Sequence, residues 1–226
     1  MAARAAELPR SPIFGVGRYQ AGAEHVDFEI GWDEFGRDTA WAREHLVRSG
    51  LSKGDAVMIT ASAWEGPWVS PVQRALKELG IVYMPAEVFG FDAGRSAQFL
   101  TQFPVEAFIG LGPETVDGWI EKGLVPLELL KDVDAVWVRP GAAAKLAGLE
   151  DRLSPFVSVG PALAMGLPGR PGALVNAEEW RVDELDTELV ISSVGERLAH
   201  FDQAPTGLRG AVSGLDQNNC VVVIAE

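Results

Sequence analysis

The chain has 226 residues, 47% of them apolar, and carries 19 Lys and Arg against 32 Asp and Glu for a net charge of −13. That length and apolar fraction allow one large or two small domains around a buried core, which excludes wholesale disorder. Nucleic acid and anionic membrane surfaces are bound through clustered Lys and Arg, so this charge excludes both as main partners.

Residues 1–29, rich in Ala, Gly and Pro, read as a lead-in segment with a short strand at 13–16. The apolar positions Phe35, Ala40, Trp41, His45, Leu46 and Val47 then predict an amphipathic helix over 32–49, stopped by Gly50. Behind the turn Lys53-Gly54-Asp55, residues 56–60 are a short continuous apolar run, the pattern of a strand buried on both faces of a parallel sheet. The unit repeats as helix 67–79, strand 81–84, helix 92–103, strand 105–111, helix 114–122, strand 135–138 and a short helix 142–148. Such alternation with short connections predicts an α/β domain over 30–160, a mostly parallel sheet flanked by helices. After Pro161 a turn-rich link at 166–172 leads to β-like runs at 179–182, 188–193, 198–201 and 220–225, a small β-rich subdomain over 161–226.

No apolar run approaches the ~18 residues of a membrane span, and the opening MAARAAELPRSP lacks the apolar segment of a leader, so a cytoplasmic protein is expected. A lone Cys220 forms no internal disulfide, and with His25, His45 and His200 it shows no metal-ligand spacing, so no metal is expected. Gly15-Val-Gly17 runs into Arg18-Tyr19 without a third glycine or a helix, which favours an ordinary turn over a phosphate loop. Ser62 and Ser70 sit outside any G-x-S-x-G elbow, and nothing supports a hydrolase triad. Asp183, Glu184, Asp186 and Glu188 either hold a divalent cation or decorate a solvated hairpin turn, and their setting favours the turn. The segment 61–68, ASAWEGPW, joins a strand's carboxyl end to a helix, where open α/β sheets place ligands. Trp64, Glu65 and Trp68, with Tyr83 and Phe89 from the next strand end, are therefore the ligand-pocket candidates. The alternative is that these rings cap the sheet as core.

The order of segments resembles a known family. Leu51-Ser-Lys-Gly-Asp-Ala-Val57, the helix ending Leu76-Lys-Glu-Leu-Gly80, and Val82-Tyr-Met-Pro85 are similar to the opening of the adenylate-forming acyl-CoA synthetases, in particular their phenylacetate-CoA ligase-like branch. Phe99 to Thr115, Gly172 to Glu184, Glu188 to Ser193 and His200 to Gly207 continue the likeness in order. The departures fall on the nucleotide site. The family's phosphate loop would lie near 13–23, where Gly15 and Gly17 stand without Ser, Thr or Lys. Its magnesium-binding Glu would lie between 159 and 172, a stretch holding Gly160 and Pro161 but no acidic residue. Its ribose-binding Asp falls at Leu208 in Thr206-Gly207-Leu208, and the resemblance leads one to expect no mobile C-terminal domain with the catalytic Lys.

Adenylation requires a triphosphate and its transition state to be neutralised by Mg2+ and by backbone or Lys donors. The resemblance therefore implies a catalytically degenerate relative, with no catalytic residue and no cofactor, that acts as a binding or regulatory module for an acyl or aryl ligand or a partner enzyme. One alternative is an active ligase completed by a partner subunit, with ATP, Mg2+ and CoA. Another is a structural dimerisation protein without a small ligand; the resembled branch implies a homodimer.

Overall fold

The computed structural model describes residues 12–224, so the first eleven residues of the lead-in and Ala225 of the last predicted strand lie outside the described residues. The rest of the lead-in is corrected: it forms an antiparallel hairpin, β1 (Ile13–Ala21) and β2 (Glu24–Gly31). Gly22, at φ +60°, makes the turn, and Tyr19, Phe28 and Ile30 bury on the inner side. Gly15 and Gly17 interrupt the apolar pattern of β1 and hide the strand from a periodicity reading.

The α/β units follow as expected: α1 (Trp32–Arg48), β3 (Ala56–Thr60), α2 (Gly66–Leu79), β4 (Val82–Ala86), α3 (Ala93–Gln102), β5 (Ala107–Leu111), α4 (Pro113–Glu121), the one-turn α5 (Pro126–Leu129) and β6 (Ala135–Val138). The predicted helix at 142–148 is only a 3-10 turn, Ala143–Lys145, since a stretch this short cannot offset helix nucleation. Beyond it come β7 (Leu153–Val159), β8 (Ala162–Met165), β9 (Ala173–Asn176), β10 (Trp180–Leu185), β11 (Glu188–Ser193), β12 (Ala204–Asp216) and β13 (Asn219–Ile224). The run at 198–201 is not a strand; Phe201 is a buried anchor whose carbonyl accepts from the Ser193 N–H at 2.9 Å. The acidic cluster borders the β10–β11 hairpin, whose turn residues Asp186 and Thr187 have φ of 49° and 71°.

Eleven strands form one sheet in the order β10-β11-β12-β13-β9-β8-β7-β6-β5-β3-β4. From β4 to β7 the pairings are parallel; from β7 to β10 they are antiparallel, so the β-rich C-terminal part extends the α/β sheet. Adjacent residues of β5 serve opposite faces. Phe108 packs with Trp119, Leu130 and Val136 under α3 and α4, while Ile109 packs with Leu46, Leu76 and Trp137 under α1 and α2. A third cluster joins the first hairpin to the C-terminal strands through Tyr19, Phe28, Trp180, Ile191 and Phe201. No described helix is long and apolar enough to cross a membrane.

Two polar anchors tie α1 to the C-terminal part. Arg197, with 4% of its side chain exposed, donates to Asp38 at 2.8 Å and Glu179 at 2.7 Å, lies 3.6 Å from Glu34, and stacks 4.3 Å from the Trp180 ring. Burial opposes its charge, but the hydrogen bonds and charges of these carboxylates outweigh it and raise its pKa. The second anchor is the Gly166 carbonyl, which accepts from Trp137 Nε1 at 2.8 Å and His45 Nε2 at 2.9 Å. Burial pulls the His45 pKa down from 6.5 to about 4, with Arg48 adding to the fall. A depressed folded-state pKa means the unfolded chain binds the proton first as pH falls, so stability is lost between about pH 6.5 and 4. His45→Gln is expected to flatten the stability-versus-pH slope in that window by up to one proton, read from urea melts at pH 4.5 to 7. An unchanged slope would show that His45 is not the titrating group.

Candidate functional site

In the parallel part the strand order β4-β3-β5-β6-β7 reverses between β3 and β5, and a ligand crevice is expected outside their carboxyl ends. Gly110 shapes this place. Its φ is +81°, the β5–β6 register shifts there, and a Cβ on it would stand 2.5 Å from the Thr60 carbonyl oxygen. The crevice is closed by Arg139, the residue after β6. Its Nε donates to Gly110 O at 2.9 Å, and Nη2 donates to Thr60 O at 3.0 Å and Glu65 Oε2 at 3.1 Å. Nη1 meets the other Glu65 oxygen, and the guanidinium lies 5.3 Å from the Phe156 ring. Glu65 also accepts from the Ser62 backbone N–H at 2.7 Å and hydroxyl at 2.8 Å, reaching back across the turn as a capping carboxylate does. The pair is neutral and mostly buried, with side chains 17% and 18% exposed. Sequence reasoning named Glu65 as a ligand residue and missed Arg139; an arginine directly after the buried run AVWV was the available signal.

The other pocket candidates separate. Trp64 is 67% exposed, 5.5 Å from Phe89, which in turn stacks 5.6 Å from Phe91. Beside them, a groove of about 390 Å3 runs between the carboxyl ends of β3 and β4 and the start of α2, lined in part by Ser62, Ala63, Ser70, Gln73, Glu87 and Arg95. Trp68 joins the core instead: it is buried 5.8 Å from Phe28, with Nε1 unpartnered. Tyr83 packs half-buried against the α1–α2 core, with the Lys77 ammonium 5.6 Å from its ring.

The segments that the sequence resemblance pointed to as a degenerate nucleotide site lie together. A Cβ on Gly160, in the β7–β8 turn at φ +56°, would lie 3.5 Å from both Tyr19 Cζ and Thr206 Cγ2. Gly207, at φ +74°, abuts the end of β1, where a Cβ would come 2.6 Å from Gln20 O. Gly17 packs directly against the Phe28 ring and leaves no room for a Cβ, whereas Gly15 has open space. Thr206 Oγ1 donates to Leu189 O at 2.6 Å, and Leu208 packs against the same aromatic core. Pro161 borders a cavity of about 20 Å3, room for one water. The meeting place is filled by Tyr19, whose hydroxyl has no partner and whose pKa is raised by burial. Among the described residues, no group of three or more His, Cys, Asp or Glu is arranged to hold a metal ion.

The architecture is that of the N-terminal region of adenylate-forming acyl-CoA ligases. No family profile and no curated protein sequence matches the chain. Solved structures do. An open conformation of 2-hydroxyisobutyryl-CoA ligase, in complex with 2-HIB-AMP and CoA, superposes with a TM-score of 0.68 at 15% identity over 99% of this chain and 60% of that one. Mycobacterium smegmatis MbtA gives 0.66 at 12% identity, over 97% of this chain and 47% of that one. The Klebsiella oxytoca NpsA N-terminal subdomain with 3-hydroxyanthranilyl-AMSN gives 0.59 at 16%, covering 92% and 61%. At these identities the likeness shows the fold, and the chain spans about half to three fifths of those proteins.

Proposed function

We propose that this chain is a catalytically degenerate relative of the phenylacetate-CoA ligase-like branch, a cytoplasmic module that binds an aryl or acyl group without adenylating it. The observation that carries this reading is the Tyr19-filled meeting place of Gly160, Thr206 and Gly207. A triphosphate needs a cavity with donors to neutralise it. Here the corresponding segments pack on an aromatic core; the positions are Gly, Pro and Leu, together with Thr206, whose hydroxyl is already spent on Leu189 O at 2.6 Å.

The groove beside Trp64 and Phe89 supports the binding half of the reading. Its apolar floor, Ile59 and Val69, suits a ring or short acyl chain, while Ser70, Gln73 and Arg95 offer donors to a carboxylate or thioester. Trp64 follows the lining residue Ala63 and is the ring chosen to read occupancy.

A thermal-shift and tryptophan-fluorescence screen with phenylacetate, benzoate, fatty acids and their CoA thioesters, alongside ATP–Mg2+, tests both halves. At a hundredfold excess over Kd a ligand adds about 2.7 kcal/mol to stability, several degrees in Tm. An acid or thioester is expected to shift the melt and quench fluorescence, with the quench lost in Trp64→Phe, while ATP–Mg2+ shifts nothing. Pyrophosphate exchange with any carboxylic acid would overturn the degenerate reading. The absence of any acid or thioester effect would overturn the binding reading.

A further inference from the structure

Between α1 and the C-terminal strands lies a groove of about 300 Å3 that shares no lining residue with the groove beside Trp64. Arg37, Trp41, Glu44 and Arg48 follow the helical repeat and present one face of α1 to it. Asn176 at the end of β9, Glu178, and Gln217 and Asn218 in the β12–β13 turn supply most of the remaining lining. A helix face turned toward a neighbouring element is ordinarily apolar, and this one carries charges and one aromatic ring.

The half-buried ring is held in place. Trp41 Nε1 donates to Asn219 Oδ1 at 2.7 Å, and Asn219, 6% exposed, donates in turn to Asp216 O at 3.2 Å. Asp216 Oδ2 accepts from Arg48 at 2.7 Å, which ties the turn to the helix a second time. Two side chains of the lining stay free: Glu44 and Gln217 are exposed, and neither side chain has a partner among the described residues. Gln217 stands at φ 55°, first of the two residues between the paired Asp216 and Asn219, where Gly or Asn is favoured. The chain accepts that strain and keeps a long amide at the groove, as strained positions at binding sites do.

We propose that this groove binds an uncharged sugar, one ring lying against Trp41 and its hydroxyls taken by Glu44 and Gln217. A hydroxyl both donates and accepts, so it satisfies the Glu44 carboxylate, which only accepts, and the Gln217 amide, which does both. A sugar ring carries a rim of such hydroxyls around C–H faces, and those faces suit the apolar body of an indole. Charge is disfavoured because Arg37 and Arg48 share the lining with Glu44 and Glu178, so an ion of either sign meets its own sign there. Size follows from volume. A cavity of about 150 Å3 accommodates benzene, so a groove of about twice that takes one hydroxylated ring and part of a second.

The test uses maltose, sucrose and trehalose as sugar probes, glucuronate and glucosamine as charged counterparts, and cyclohexanol as a ring without the hydroxyl rim. Each is titrated to about 50 mM into the isotope-labelled full chain, since hydrogen-bonding ligands of this size bind weakly, and backbone amides and the Trp41 indole N–H are followed. At least one disaccharide is expected to move the Trp41 indole and the amides of Glu44, Gln217 and Asn218 saturably. Glucuronate, glucosamine and cyclohexanol should each bind about tenfold more weakly. Glu44→Ala, at an exposed helix position, and Gln217→Gly, which relieves the positive φ, should each weaken the disaccharide about fivefold, the loss of one hydrogen bond. Urea melts confirm that both variants fold. Absence of saturable shifts at those groups with all three disaccharides overturns the proposal. So does a charged sugar or cyclohexanol binding as tightly as the disaccharide, or disaccharide affinity that survives both substitutions. None of these results bears on the groove beside Trp64, whose amides are read separately.

Discussion

Arg197→Ala is expected to lose about 3–5 kcal/mol of folding stability, the cost of removing one member of a buried ionic group and leaving the others uncompensated. Arg197 and both glutamates, Glu34 and Glu179, have side chains 4% exposed, so water cannot take over the lost contacts. Glu179 keeps Arg37, which donates to Oε2 at 3.1 Å, but Glu34 is left with the Leu198 N–H. Because small domains are stable by only about 5–15 kcal/mol, the variant should sit near the edge of folding at 37 °C. Arg197→Lys should recover part of the loss, since an ammonium cannot reproduce the two-pronged contact with Asp38. Urea unfolding measures both. A loss below about 1 kcal/mol for Arg197→Ala would show that the network contributes little. The exposed Arg18–Asp27 pair on the first hairpin is the control, and Arg18→Ala should leave stability nearly unchanged.

That network also marks where sequence reading stopped. Arg197 lies 159 residues from Asp38, and no local pattern relates them. The parallel half was legible because its strands are short apolar runs and its helices end at glycines such as Gly80, whose φ of +73° favours that residue. The C-terminal half was harder for equally local reasons. Pro155 breaks the sequence pattern of β7, β8 reads ALAM without a β-branched residue, and β12 carries three glycines. The site was legible as a place and not as a set of contacts. The segment 61–68 does fall at the carboxyl end of β3, but its two tryptophans diverge, Trp64 to the surface and Trp68 to the core. Glu65 meets Arg139, 74 residues on.

Arg139→Met is expected to cost about 3 kcal/mol, because it removes every donor that the guanidinium aims at Thr60 O, Gly110 O and Glu65 while keeping most of the side chain's bulk. Glu65→Gln should cost less, about 1 kcal/mol, since an amide still fills the turn and offers an acceptor to Arg139. If the two residues act as one unit, the double variant will be more stable than the sum of the single losses predicts, by about 1–2 kcal/mol, and additive losses would deny the coupling. The same protein decides what the closed crevice is for. A plug that only supports the strand ends lowers stability when removed, and ATP–Mg2+ remains without effect on the melt. A plug that holds a binding-competent crevice shut would behave differently: Arg139→Met would then gain stabilisation by ATP–Mg2+ that the parent protein lacks. The first outcome is expected. The segments that the proposed reading takes as a degenerate phosphate and ribose site meet at Tyr19, within a separate aromatic core, and removing Arg139 adds no phosphate donor there.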